Sequence, residues 1–163
     1  MKYQVALSAP YPNVENVRKN PMDAKKLMNS YGGRNSETGA ILTYAYQSYV
    51  VKKEHPELAS MLEQVAVVEM KHHELLGTAI YYLGGLPVVA GRNAYFSAAG
   101  LDYSVRAEEF LVRNIREEEA AIREYEALEK TLATPEIREL VKRIVDDETL
   151  HVKLFSETLA KMH

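Results

Sequence analysis

Cysteine is absent from the 163 residues. This excludes disulfides, thiolate nucleophiles, Cys-ligated zinc and iron–sulfur clusters, and leaves nitrogen and oxygen as the donors for any metal. An excess of one charge sign is missing too. The 20 basic and 23 acidic residues are interspersed and sum to a formal −3, so nothing marks a footprint for nucleic acid or anionic lipid. The longest uncharged run, residues 75–91, is broken by "GGLP" and is too short for a membrane span. The amino-terminal "MKYQVALSAP" lacks the continuous apolar core of a secretory signal, so the expected location is the cytoplasm.

What is present describes a folded protein. Apolar residues make up 47% and charged ones 26%, the balance of a soluble globular chain large enough to bury one core. Four long helical patterns are visible. The first, "NSETGAILTYAYQSYVVKK", opens near Asn35 or Ser36 and runs to about Lys53. The second starts with Pro56 in its first turn and stops at Gly84–Gly85, the ends a helix prefers. After a loop of about eighteen residues a third is expected from Asp102–Ser104 to about Ala133, and a fourth from Thr134–Pro135 almost to the end. Before them "NPMDAKKLMNSYGG" reads as a short helix closed by Gly32–Gly33, and the first twenty residues look irregular. The organisation expected is an extension with a short helix over 1–34 and a four-helix bundle over 35–163, one domain overall.

The helices repeat. "ETGAILTY" (37–44) and "EEAAIREY" (118–125) both read Glu-x-x-Ala-Ile-x-x-Tyr. "PELASMLEQVAVVEMKHHEL" aligns without a gap on "PEIRELVKRIVDDETLHVKL" at an offset of 79, so that Pro56 meets Pro135, Glu69 meets Glu148 and His72 meets His151. A helical hairpin is written twice. Two antiparallel hairpins related by a pseudo-two-fold place the second and third helices parallel, so their connection must run the length of the bundle. At ~1.5 Å per residue the second helix is ~40 Å long, and eighteen extended residues reach ~60 Å. The fold class is all-α, a four-helix bundle with one long crossover.

Steps of three and four along the second helix give Leu58, Leu62, Val65, Glu69, His72, Leu76, Ala79 and Leu83, one apolar seam interrupted by two polar side chains. The fourth helix gives Ile137, Val141, Ile144, Glu148, His151 and Phe155. The third gives Leu111, Ile115, Glu118, Ile122 and Tyr125, and the first Glu37, Ile41, Tyr44, Ser48 and Val51. This selects Glu118 over Glu117 and Glu119, and Glu148 over Asp146 and Asp147, each neighbour turned about 100° off the seam.

Four carboxylates in one core repel one another and carry a large desolvation penalty. Two divalent cations would neutralise them. A Glu-x-x-His pair puts carboxylate and imidazole about one turn apart on one face, and such mixed donors suit iron or manganese without selecting between them. The cofactor expected is therefore two metal ions per chain, Fe or Mn, held by Glu37, Glu69, His72, Glu118, Glu148 and His151.

With these residues the sequence resembles the ferritin-like di-metal carboxylate proteins over about residues 21–160. "EMKH" followed by "DETLH" is similar to bacterioferritin and to the ferritin-like domain of rubrerythrin. "YGGRNSETGAILTYAYQSY" is similar to the first helix of manganese catalase. The resemblance implies that Glu69 and Glu148 bridge the metals, that Glu37 and Glu118 are terminal ligands, and that His72 and His151 bind one metal each. It also puts Met70 where bacterioferritin binds haem, although a packing methionine is the simpler reading.

Three departures shape the functional expectation. The four-cysteine iron domain of rubrerythrin has no counterpart here, so a reductant would be an external electron-donor protein. The chain stops twelve residues beyond His151, without the further short helix of ferritins, which points away from a 24-subunit cage and toward a homodimer or other small oligomer. Manganese catalases carry additional segments. A rubrerythrin-like oxidoreductase acting on hydrogen peroxide or dioxygen in oxidative-stress defence is expected. The alternatives are manganese-catalase-like disproportionation, ferroxidase or iron handling, and, remotely, a non-catalytic helical module. Tyr44 and Tyr125, one step along the seam from the glutamates, could hydrogen-bond their carboxylates or simply pack. His55, His73 and His163 are expected at the surface.

Overall fold

The computed structural model describes residues 2–91 and 93–162. It contains helices α1 (Pro21–Gly32), α2 (Glu37–Val51), α3 (Pro56–Tyr82), α4 (Ala107–Glu129) and α5 (Pro135–Ala160), with a 3-10 turn at Ala98–Gly100. The four long helices form the bundle, α2 pairing with α3 and α4 with α5. The only β pairing among the described residues is an isolated bridge between Ala90 and Tyr95. His163 lies outside the described residues.

Local chemistry sets the helix ends. Pro56 and Pro135 open α3 and α5, where a missing N–H leaves no bond unmade. Gly84 takes φ +95, and the Gly85 amide reaches back to the Ile80 carbonyl at 2.8 Å, the left-handed stop that glycine makes cheap. Ser36 does not cap α2 through its side chain; its hydroxyl donates to the Gly33 carbonyl at 2.8 Å. Helix α4 begins at Ala107, later than its sequence pattern suggests. The Asp102 carboxylate takes the Ser104 amide and hydroxyl at 3.0 and 2.6 Å, and Arg106, just ahead of the helix, is still extended. The crossover is correspondingly longer than expected, running from Leu83 to Arg106.

Buried apolar residues fall into two clusters. One gathers Leu27, Leu76, Ile80, Ile137, Leu140 and Ile144; the other gathers Leu58, Leu62, Val65, Phe110, Leu111 and Phe155. Each such side chain contributes roughly 1.5–3 kcal/mol by leaving water. Between the two clusters lies the layer that holds the seam glutamates and histidines.

The residues ahead of α2 are built into this core. Leu27 of α1 is fully buried. Asp23, also fully buried, accepts from the amides of Ala133 and Thr134 at 2.9 and 2.8 Å and from the Thr134 hydroxyl at 2.8 Å, which pins α1 to the α4–α5 turn. Residues 2–20 carry no helix, yet they reach across α5, where Leu7 and Tyr11 meet Asp147.

Candidate metal centre

Glu37 opens α2, Glu69 and His72 lie one turn apart in the middle of α3, Glu118 lies in α4, and Glu148 and His151 lie in α5. All six are at most 4% exposed. The structure brings them together in two overlapping groups. Glu37, Glu69, His72 and Glu148 form one, and Glu69, Glu118, Glu148 and His151 the other, with one donor atom from each residue lying within 4.8 Å of the rest of its group. Glu69 and Glu148 belong to both.

The histidines are oriented alike. His72 turns Nδ1 to the carboxylates, 3.1 Å from Glu69 and 3.2 Å from Glu148, with Glu37 at 3.7 Å. His151 turns Nδ1 to Glu69 and Glu148, each at 3.0 Å, with Glu118 at 3.8 Å. Their outer nitrogens are engaged elsewhere. His72 Nε2 lies 3.2 Å from an Asp147 oxygen, and His151 Nε2 lies 2.8 Å from the Val5 carbonyl. A carbonyl only accepts, so Nε2 of His151 carries the proton and Nδ1 is the atom whose lone pair can face a cation.

The tyrosines close the pattern. Tyr44 of α2 donates to Glu118 of α4, and Tyr125 of α4 donates to Glu37 of α2. The two bonds cross the bundle in opposite senses. Between α2 and α4, under the crossover, a cavity of about 400 Å³ reaches Glu37, Glu69, Glu118 and Glu148; Arg34, Arg113 and Glu117 are among its lining residues.

Without a cation, protons must hold this cluster together. Burial, with the Glu69 and Glu148 charges behind it, pushes Glu37 up to about 8 against the opposing His72. Burial and the same two carboxylates raise Glu118 well above the carboxylate range. Burial works against a charged imidazole, but the surrounding carboxylates override it and raise His72 and His151 well above the usual histidine value. Glu69 and Glu148 go the other way: burial opposes it, yet the two imidazoles hold both below the ordinary range. One oxygen of Glu69 is buried with no hydrogen bond, although His151 Nδ1 lies 3.0 Å away. Four buried carboxylates, with the Nδ1 atoms of two imidazoles aimed among them, fit a pair of divalent cations that would take the place of those protons.

Two expectations need correction. Asp147 lies off the seam by its spacing, yet it is fully buried and receives the Leu7 amide at 2.8 Å, the Tyr11 hydroxyl at 2.6 Å and Arg143 at 2.6 Å besides His72. Its offset-79 counterpart is Val68, and that break in the repeat was the available signal. Burial tends to raise Asp147, but the bonds from His72, Arg143, Tyr11 and Leu7 bring it down to about 2. His73 is half-buried rather than at the surface: Tyr31 stacks on it at 4.2 Å. His55 and Asp146 are exposed, and Met70 is exposed on α3. Tyr11 has no periodic signal, since the segment 3–11 has no helix to give it one, and Arg143 lies on α5 beside the apolar seam rather than on it.

The sequence profile of the rubrerythrin family matches residues 33–159. A comparison with curated protein sequences gave no significant match. Among solved structures the chain is similar to two of the manganese catalase KatB from Anabaena. One is 24% identical with a TM-score of 0.85, covering 96% of this chain and 80% of that one. The other is 23% identical with a TM-score of 0.86, covering 99% and 81%. It is also similar to the Desulfovibrio desulfuricans bacterioferritin, described as carrying a diiron site, at 23% identity and a TM-score of 0.70 over 88% of this chain and 84% of that one. These likenesses establish the ferritin-like fold. No helix among the described residues is long and apolar enough to cross a membrane.

Proposed function

Because the chain belongs to the rubrerythrin family, we propose that its buried cluster holds two iron or manganese ions and turns over hydrogen peroxide or dioxygen. The observation that carries this is the pair of overlapping four-residue groups sharing Glu69 and Glu148. Two shared carboxylates, one unshared carboxylate and one imidazole on each side are a donor set for two cations. Glu69 and Glu148 would bridge, Glu37 and Glu118 would each close one side, and His72 and His151 would each supply one nitrogen.

Two such ions, when bound, would supply the two electrons that cleavage of an O–O bond consumes, one from each. The protein's own part is placement. The cavity between α2 and α4 gives a small oxidant a route to the carboxylates. Tyr44 and Tyr125 donate hydrogen bonds to Glu118 and Glu37 at the inner end of that route, which orients the two carboxylates. The apolar clusters above and below exclude bulk water.

A rubrerythrin-like peroxidase drawing electrons from an external protein is the leading reading, in oxidative-stress defence and as a small homo-oligomer. Manganese-catalase-like disproportionation is the second, favoured by a chain that contains no cysteine for relaying electrons. The test loads apo-protein separately with iron and manganese and follows peroxide loss and oxygen release with and without a reductant. Loss that depends on the reductant supports the first reading, and oxygen release without it supports the second. Neither, together with rapid oxidation of ferrous iron by dioxygen, would mean iron handling. A metal content near zero after loading sinks the whole proposal.

A further inference from the structure

The pseudo-two-fold that relates the two hairpins is broken on the outer side of the histidines. His72 is backed by the carboxylate of Asp147. The symmetric position, Val68, offers His151 nothing comparable. A buried imidazole N–H without an acceptor is costly, and the acceptor His151 finds is the Val5 backbone carbonyl at 2.8 Å. That carbonyl belongs to a strap without helical structure, residues 3–11, laid along the bundle from α3 to α5.

The strap is fastened at several points. Its Tyr3 amide donates to Gln64 of α3 at 2.9 Å. Arg143 of α5 donates to the Leu7 and Ala9 carbonyls at 2.8 and 3.0 Å, and its guanidinium lies 4.5 Å from the centre of the Tyr11 ring. The Leu7 amide and Tyr11 hydroxyl both end on Asp147, the residue behind His72. The strap therefore touches the outer side of both imidazoles, directly at His151 and through Asp147 at His72.

We propose that residues 3–11 are a positioning element of the metal centre, fixing the tautomer of His151 through the Val5 carbonyl and orienting His72 through Asp147. This rests on the reading of the cluster as a two-metal site. The two cation positions are then inequivalent. The one at His72 has an imidazole backed by an anion, which makes it the more basic donor; the one at His151 has an imidazole backed by a neutral carbonyl. Strap docking and metal binding are linked, because a cation on Nδ1 strengthens the Nε2–H donor that Val5 receives, and linkage is reciprocal.

The experiment titrates manganese(II) into metal-free full-length protein and reads bound ions by the loss of the free-ion paramagnetic resonance signal. Two ions are expected for the wild type. Deletion of residues 2–6 removes the Val5 carbonyl and leaves Leu7 to Tyr11; it should weaken one ion about tenfold or more and leave the other nearly unchanged. Equal weakening of both, or of neither, overturns the proposal while leaving the metal reading intact. A wild type that binds no manganese overturns both. Should the deletion variant lose helicity, amide hydrogen exchange across residues 3–11 of the intact chain decides: slowing on manganese addition supports the linkage, and an unchanged rate overturns it.

Discussion

Gln47 of α2 and Asn114 of α4 exchange two hydrogen bonds, amide to amide, at 3.0 and 2.7 Å. Both side chains are fully buried. They join the two helices that flank the cavity, one turn along from Tyr44.

The pair lends itself to a double-mutant cycle. Gln47→Leu alone strands a buried amide on Asn114, and Asn114→Leu does the reverse, so each should cost about 1–3 kcal/mol. The double replacement removes both polar groups and should cost clearly less than the sum. Urea denaturation of the four proteins measures this; additive losses would mean that the two amides do not depend on each other.

Asp23 gives a pH dependence with a definite sign. Burial tends to raise its pKa, but Lys26, the Thr134 hydroxyl and the two backbone amides bring it below the ordinary value of 3.8. A depressed folded-state value contributes stability that is present above the unfolded pKa and lost as pH falls through the folded one. The wild type should therefore lose stability below about pH 4, and Asp23→Asn should lose less over the same range. Urea midpoints recorded from pH 6 down to 3 test it; parallel curves for the two proteins would remove Asp23 from the account.

Gly32 allows the crossover to pass close to the end of α1. A Cβ there would lie 2.6 Å from the Ala90 amide nitrogen and 2.9 Å from the Val89 Cα, both backbone atoms that cannot swing aside. Gly32→Ala should thus destabilise by about 1–3 kcal/mol despite the better helix propensity of alanine. Thermal denaturation is the check, and an unchanged or raised midpoint would contradict the contact.

Metal uptake should release protons. His72, His151, Glu37 and Glu118 all hold protons more tightly than their free counterparts, and cations would displace them. Manganese affinity should accordingly rise with pH, and binding should release protons. Calorimetry in buffers of different ionisation enthalpy counts them. Glu69→Ala or Glu148→Ala should disturb both ions, while His72→Ala or His151→Ala should weaken chiefly one.

Periodicity and repetition made the bundle and its polar layer legible. A seam that reads Val65, Glu69, His72, Leu76 on a helix pattern can only put those side chains on one face, and its copy at an offset of 79 names Glu148 and His151. Side chains that act across the bundle were legible only where they lay on the seam, as Tyr44 and Tyr125 do. Asp147 was not, because a position 100° off the seam faces solvent only if nothing covers it, and the strap covers it. A segment without regular structure leaves no period to read, so the contacts of Tyr3, Val5, Leu7 and Tyr11 had no sequence signature. The crossover is longer than its sequence pattern implies for a similar reason: the turn at Asp102 is a local side-chain bond, and helical patterning overlaps it.

The long crossover also divides the donor set by chain segment. Everything before it carries Glu37, Glu69 and His72; everything after it carries Glu118, Glu148 and His151. A single cut between Leu83 and Arg106 would yield two hairpins, neither with enough donors to close a two-ion centre alone. For such pieces the cations would act as a reassembly signal, and recovery of the centre would report that the halves had found each other.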